Sequence, residues 1–395
     1  MNVRTYQTYI LVALISAPFA GFSQEKENPI EIFNRVGVEY DDNIRQASTG
    51  EASSLKISED VEFVVNFDND ISLFSMRYNP SFVYWENRPE DDTDLHHQFD
   101  LVFDRELSPR AALSIKDVFR LAEMPELIDD GNGALVREDN DFIYNSLSGG
   151  LNAQMTANLT GVLDARHSLL AYDDADIASV NDYETVTVGA DVGRQLQPRT
   201  GIEGQARFTG ADYEDDFRDY DAIQIGAKIS HHVSARLQST LRAGYETRSF
   251  DEVSEDADSP YVDGQLTYVV AQDTRVNGGL GFGLSQTPLS EFASSERVSV
   301  YGGITHDLNA RLTLNLSAQA FNSEYSVDEA TDAFDPATDQ AGTEDVLRLS
   351  ARLSYKLNQT NWLEAGWQYA ELDSEVRSES NYERNRLHLG WKIHL

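Results

Sequence analysis

The sequence predicts an all-β protein, a transmembrane antiparallel up-and-down β-barrel of about 18 strands. Three observations carry this. Apolar and polar residues alternate at two-residue spacing over runs of about ten to sixteen residues, down to the final "RLHLGWKIHL". Short tight links alternate along the chain with long acidic ones. The N-terminus has the layout of a secretory signal. Period-two alternation marks strands with one face in an apolar medium and the other in a polar one. In hydrocarbon every backbone N–H and C=O must pair internally, so strands cross a membrane only as a closed barrel.

The N-terminal "MNVRTYQTYILVALISAPFAGFSQEKEN" holds one early cation (Arg4), an apolar run from about Tyr9 to Phe19, and then small residues. That run is too short to span a bilayer and fits a cleaved leader over residues 1–23. Residues 24–30 form a short periplasmic segment, which leaves no room for a plug, and 31–395 form the barrel. Downstream, "VLRLSARLSYKL" puts Leu347, Leu349, Ala351, Leu353, Tyr355 and Leu357 on one face and Arg348, Ser350, Arg352, Ser354 and Lys356 on the other. "RLTLNLSAQA" repeats this, with Leu312, Leu314 and Leu316 against Arg311, Thr313 and Asn315. In the last strand Leu387, Leu389, Trp391, Ile393 and Leu395 face lipid, while His388, Lys392 and His394 face the lumen.

The links form the internal repeat. "DND", "LSPR", "MTAN", "LQPR", "VSAR", "QDTR", "LNAR" and "LNQTN" recur about every 36 to 50 residues, with acidic stretches such as "ENRPEDDTD" and "DEVSEDADS" between them. Eight short turns separate nine hairpins, hence about eighteen strands. Sixteen is the alternative if a weakly patterned pair lies outside the wall. A propeller blade would put four short strands in each period, and here each period holds two long ones. A secreted sandwich or solenoid would need buried partners for nine apolar stripes. The long loops then face outside, and both termini and the short turns face the periplasm. Phe74, Met76, Tyr78, Phe82 and Tyr84 share a face, and Trp367 and Tyr369 sit near the loop end of their strand, as an interfacial girdle requires. Pro80 lacks a ladder donor, so a local bulge is expected there.

Three stretches, "VGVEYDDNI", "MRYNPSFVYW" and "HHQFDLVFDRELSPRAALSIKDVF", resemble the family of outer-membrane β-barrel porins associated with exopolysaccharide secretion loci. They cover about a fifth of the chain, all in its first third. The resemblance implies a porin-like barrel in a Gram-negative outer membrane, passing solutes or polysaccharide, with polysaccharide export components as partners. The chain ends in Leu395, where the barrel assembly signal commonly has an aromatic, and Trp391 supplies part of that signal.

The totals exclude several functions. The chain of 395 residues has no cysteine and a net charge of −36. This rules out thiolate metal sites and disulfides and argues against nucleic acid, which requires basic patches. Its partners are instead outer-membrane lipid, lipopolysaccharide and the barrel assembly machinery. "NGGLGFG" at 277–283 is not followed by a helix, so it lacks the context of a dinucleotide fingerprint. Gly279, Gly281 and Gly283 read as small lumen-facing positions. The pairs His96–His97 and His231–His232 cannot share a ligand, because strand neighbours point to opposite faces. No Ser, His and acid spacing, including that around His167, singles out a hydrolase. "DPATDQAGTED" lacks the glycine and terminal glutamate of a calcium-binding helix-loop-helix. No cofactor, metal site or catalytic residue is therefore expected. The pore-lining candidates are Arg236, Arg242 and Arg248 on one strand and Arg348, Arg352 and Lys356 on another. They read either as a basic ladder for anionic or sugar-like solutes, or as wall charges paired with acids such as Glu246 and Glu364.

Overall fold

The computed structural model describes residues 29–88, 92–122, 140–215, 218–251, 256–326, 330 and 340–395. The expected leader and most of the links at 123–140 and 324–345 lie outside these residues. The strands are β1 (Ile30–Asp41), β2 (Ser54–Asn69), β3 (Ser72–Trp85), β4 (Thr93–Ser108), β5 (Ala111–Ala122) and β6 (Phe142–Thr156). There follow β7 (Leu159–Tyr172), β8 (Tyr183–Gln197), β9 (Thr200–Tyr213), β10 (Tyr220–His232), β11 (Leu237–Phe250) and β12 (Ala257–Ala271). The wall ends with β13 (Thr274–Ser285), β14 (Ser295–Asn309), β15 (Leu312–Tyr325), β16 (Gly342–Lys356), β17 (Asn361–Ser374) and β18 (Tyr382–His394). One short helix, α1 (Ala175–Asn181), lies between β7 and β8, capped by Asp174, whose carboxylate accepts from the Asp176 and Ile177 amides.

Every strand pairs antiparallel with its chain neighbours, and β1 also pairs with β18, giving one closed 18-stranded sheet. Closure leaves no edge strand with unpaired backbone groups. The count is the expected eighteen and not sixteen. The eight short links all lie at one end of the barrel, the end at which β1 starts and β18 finishes. At β1–β18 the seam is held by Asp41 and Arg384, 0% and 1% exposed, with Arg384 Nε 3.0 Å from both carboxylate oxygens and Nη2 2.5 Å from Oδ2.

The short turns share a device. At five of them the register shifts by one residue on the incoming strand, over Glu106/Ser108, Gln154/Thr156, Gln195/Gln197, Val269/Ala271 and Asp307/Asn309. The extra residues are Leu107, Met155, Leu196, Val270 and Leu308, all exposed apolar side chains. A bulge adds twist where the strand must turn back. It also sets an apolar side chain at the rim, so that repeats such as "LSPR" and "LQPR" have a structural reason.

The bulge expected at Pro80 is absent. Pairing between β2 and β3 lapses opposite Pro80, yet the register is the same on either side, Asp60 opposite Ser81 and Phe63 opposite Tyr78. A missing N–H deletes a bond without inserting a residue. Trp367 is likewise not at the loop end: it sits mid-strand in β17 opposite Leu387, stacked on Tyr369 at 6.4 Å.

The outer face is apolar, with a few polar pairs set into it. Leu280, Val300, Leu353, Leu389 and their counterparts point outward, more than a third exposed. Hydrogen-bonded polar pairs nevertheless stand on this face: Asn34 with Glu59 (2.9 Å), Tyr78 with His97 (2.8 Å), Asn145 with Asp117 (2.8 Å) and His167 with Glu184 (2.8 Å). All eight residues lie on β1 to β8. On the outer face of β15 and β16 Asn322 likewise bonds Asp345 at 2.9 Å, and on β17 and β18 Trp367 Nε1 donates to Asn385 Oδ1 at 3.3 Å, each polar partner three residues from a strand end.

Candidate functional site in the barrel lumen

Alternate residues of each strand share the inner face, so register alone fixes which side chains meet in the lumen. Along the hydrogen-bonding direction one inner row reads Lys116, Ser148, Arg166, Thr187, Thr209, Ala222, Arg248. Strands are spaced about 4.8 Å apart, so cations two strands apart stand about 10 Å from one another. A second row reads Gln265, Gly279, Tyr301, Gln319, Arg348.

These rows bound two cavities. The larger, about 880 Å³, is lined by Lys116, Arg166, Arg207, Arg242, Arg248 and Arg297 together with Asp164, Glu246 and Asp263. The second, about 560 Å³, adjoins it at Tyr301 and Gln319 and is lined by Arg348 and Arg386, with Ser317, Ser350, Asn277, Asn315 and Gln368, and no acid. The two linings together hold eight cations and three acids, in a chain with 31 basic and 67 acidic residues. The linings of these two cavities are therefore positive, opposite in sign to the whole chain.

Some of these charges are neutralised in the wall. Arg207 bridges Asp191 (3.1 Å) and Asp164 (3.3 Å), and Arg248 Nε contacts Glu246 at 2.6 Å while its Nη2 donates to the Leu284 carbonyl. Glu364 pairs with Arg35 of β1 at 3.1 Å, not with the arginines of β16. Arg242, half-buried, lies 5.6 Å over the Tyr261 ring with its Nε unpaired, and Arg248 keeps a buried Nη1 unpaired.

The six sequence-derived candidates therefore divide. Arg242 and Arg248 line the larger cavity and Arg348 the smaller. Arg352 stands on the same inner face, between Asn315 and Gly366. Lys356 closes β16 at the short-turn end, its Nζ 5.7 Å from the Trp362 ring. Arg236 lies one residue before β11, in the turn, where its guanidinium donates to the Val270 carbonyl. Lys116, Arg166, Arg207, Arg297 and Arg386 went unnamed in the sequence reading, although the same alternation places them. Two strands suggested a ladder, whereas the cations run around the wall.

Lumen glycines give tyrosines room to lie flat. A methyl group at Gly279 would meet Tyr301 at 2.5 Å, and one at Gly244 would meet Tyr261 at 2.6 Å. Gly279, Gly281 and Gly283 are thus the small inner positions that the alternation implied, with Gly281 and Gly283 lining the larger cavity.

The long-loop mouth is narrowed by the link 286–294, "QTPLSEFAS". Gln286, Thr287, Leu289, Phe292 and Ala293 are at most 2% exposed. Ala293 packs into an aromatic collar of Phe142, Tyr144, Tyr172, Tyr183, Tyr213, Tyr220 and Phe250 on the inner ends of β6 to β11. Buried Arg218, before β10, donates to the Thr287 and Val180 carbonyls, and Glu291 bridges to Arg377 before β18. This strap therefore ties links from both sides of the mouth. The available signal was that 286–294 is the apolar exception among acidic links.

A closed 18-stranded wall, apolar outside and polar within around a cavity, defines an outer-membrane β-barrel porin. The chain belongs to the family described as Putative beta-barrel porin 2, whose pattern it matches over residues 34–395. The family is one of porins, not enzymes, and places the chain in a Gram-negative outer membrane. No curated protein matches the chain. Among solved structures it is similar to Pseudomonas aeruginosa OccK2 (OpdF), at 13% identity and TM-score 0.50, over 94% of this chain and 100% of that one. It is also similar to Acinetobacter baumannii OccAB4 (11%, TM-score 0.48, 94% and 99% covered) and to a BenF-like porin of Pseudomonas fluorescens Pf-5 (13%, 0.48, 95% and 100%). At such identities the likeness is one of fold.

Proposed function

We propose that the barrel is a passive channel for anionic, hydroxyl-bearing solutes, acidic sugars among them, entering from the long-loop side and leaving at the short-turn side. The observation that carries this reading is the excess of eight cations over three acids around the two lumen cavities. Rings of charged side chains set the sign of the ion a pore admits. The serine and amide groups beside Arg348 and Arg386 offer donors and acceptors to hydroxyls. The long loops are extracellular and the termini periplasmic in this reading, with lipopolysaccharide around the rim and the assembly machinery needed for insertion.

Planar-bilayer conductance of the purified protein tests it. An open pore with a reversal potential favouring anions, and a weaker preference after Arg348→Ala with Arg352→Ala, is the expected result. A cation-selective pore would refute it. One observation favours a second reading, an accessory barrel of a polysaccharide export system without an open pore: the strap 286–294 fills part of the mouth. Absent conductance, with exopolysaccharide secretion lost on deletion, would establish that reading instead.

A further inference from the structure

We infer that the smaller cavity is a ring-binding subsite, in which a pyranose lies against the flat face of Tyr301 while its hydroxyls and carboxylate meet the amides and arginines beside it. Resting on the channel reading above, this narrows the solutes to ring-form sugar acids. Tyr301 lines both cavities. Its side chain crosses Gly279 of β13, where a methyl group would meet the ring at 2.5 Å, and is hydrogen-bonded to Gln265 of β12. Asn277 of β13 lies the other way, over Gly303 of β14, where a methyl group would meet its Oδ1 at 2.8 Å. Each side chain is thus pressed against the wall by a glycine on its neighbour's strand, and the space in front of them stays open. A ring pinned flat presents its free face at little further entropic cost.

The surroundings select a sugar over other flat rings. Gln319 and Arg348 follow Tyr301 along one inner row, and Gln368 and Arg386 stand in the next row toward the short turns. An amide carries both donors and an acceptor, which matches a hydroxyl that is itself both. A ring without hydroxyls would leave those groups unmet, and such a loss discriminates strongly. Arg348 is two strands from Tyr301, about 10 Å at the backbone, so its guanidinium can reach back to a carboxylate on a ring stacked there. The lining holds no acid among the described residues to repel that carboxylate, and its volume of about 560 Å³ lies in the range of small-molecule sites. Tyr261 in the larger cavity lies over Gly244 in the same manner, but it is only 5% exposed with Arg242 above it, so its face is already covered.

Isothermal titration calorimetry of the purified full-length protein in detergent tests this with three monovalent carboxylates. Galacturonate is a pyranose, galactonate is its open-chain counterpart, and benzoate is a flat ring without hydroxyls. Galacturonate should bind at least about fivefold more tightly than either of the others, the scale of one aromatic contact. Tyr301→Leu should abolish its advantage over galactonate, Tyr301→Phe should keep it, and circular dichroism should show the β spectrum in both variants. Equal affinity for galacturonate and galactonate, benzoate binding as tightly, no binding of any of the three, or a preference that survives Tyr301→Leu or is lost in Tyr301→Phe would each overturn the subsite. Bilayer reversal potentials separate this failure from that of the channel reading: an anion-selective pore without ring preference removes the subsite alone, whereas a cation-selective pore removes the reading beneath it.

Discussion

Replacing Asp41 by alanine should destabilise the barrel more than any other single truncation on β1, because it opens the seam where the first strand meets the last. Asp41 and Arg384 are both buried, and three contacts of 2.5–3.0 Å join them. Taking one partner from a buried pair leaves a desolvated charge behind and costs about 3–5 kcal/mol. The seam pairs only Phe33–Asp41 with Arg386–His394, whereas β1 and β2 pair over Ile30–Asp41, so few other bonds share the load. Asp41→Asn keeps a hydrogen-bonding group and should cost less. Asp41→Ala with Arg384→Met removes both charges and should recover much of the loss, since apolar replacement of a whole buried pair is often neutral. Urea unfolding in lipid vesicles, followed by tryptophan emission, gives the three free energies and hence the coupling. If Asp41→Ala costs under about 1 kcal/mol, or the double variant is no better than the single, the seam is not held by this pair.

Other outcomes follow from the same geometry. Leu314→Arg or Leu353→Arg, on the outer face, should impair insertion by about 2–4 kcal/mol, whereas the same change at Asn315 or Ser354 should matter much less; equal tolerance in a vesicle-folding assay would show the inside and outside reversed. Asp182, in the link before β8, accepts from the Tyr172 amide at 2.8 Å, and burial, with Glu214 nearby, pushes its carboxyl up from 3.8 to about 6. Its charged form is the disfavoured one, so the fold gains stability as pH falls from 7 through 6 and the gain is complete below about 4; melting at pH 5 against pH 7 should show this in the wild type and less in Asp182→Asn. Gly279→Ala should swing Tyr301 off the wall into the lumen and lower single-channel conductance, and an unchanged conductance would mean the ring moves elsewhere. Protease added to intact cells should cut within 122–140 or 325–345, and cutting only after the outer membrane is opened would invert the proposed orientation.

The fold was legible because a barrel wall has only one variable per residue, in or out, and Leu347 to Leu357 or Leu387 to Leu395 state it without exception. The count of eighteen came from turns whose chemistry repeats. What alternation cannot convey is lateral register, and register decides which charges become neighbours. Glu364 was paired in thought with the β16 arginines, yet it meets Arg35 across the closure of the sheet. The mouth was harder still. Nothing in a strand pattern says that a nine-residue link turns inward, and the collar that receives it combines side chains from six strands, more than a hundred residues apart in sequence. The Trp367 position failed for another reason: aromatic residues serve girdles, collars and mid-wall packing alike, and composition does not separate them.

The opposite signs of the chain and its two cavity linings need not conflict, because the acids have structural work at the rim. Asp182 and Asp219 accept from the amides of Tyr172 and Tyr213 at the loop ends of two hairpins, and Asp42 does the same for Asn385 across the β1–β18 seam. At the mouth these carboxylates are half-buried at the edge of the water, and their field there fades over a Debye length of about 8 Å at physiological salt. The arginines of the two cavities line a confined space inside the wall, where fields are focused rather than screened. An anion approaching the barrel therefore meets a weak, salt-sensitive barrier first and a stronger attraction beyond the strap. Raising ionic strength should lower that outer barrier more than the inner attraction, so the entry rate from the long-loop side should rise with salt over a range where anion selectivity persists.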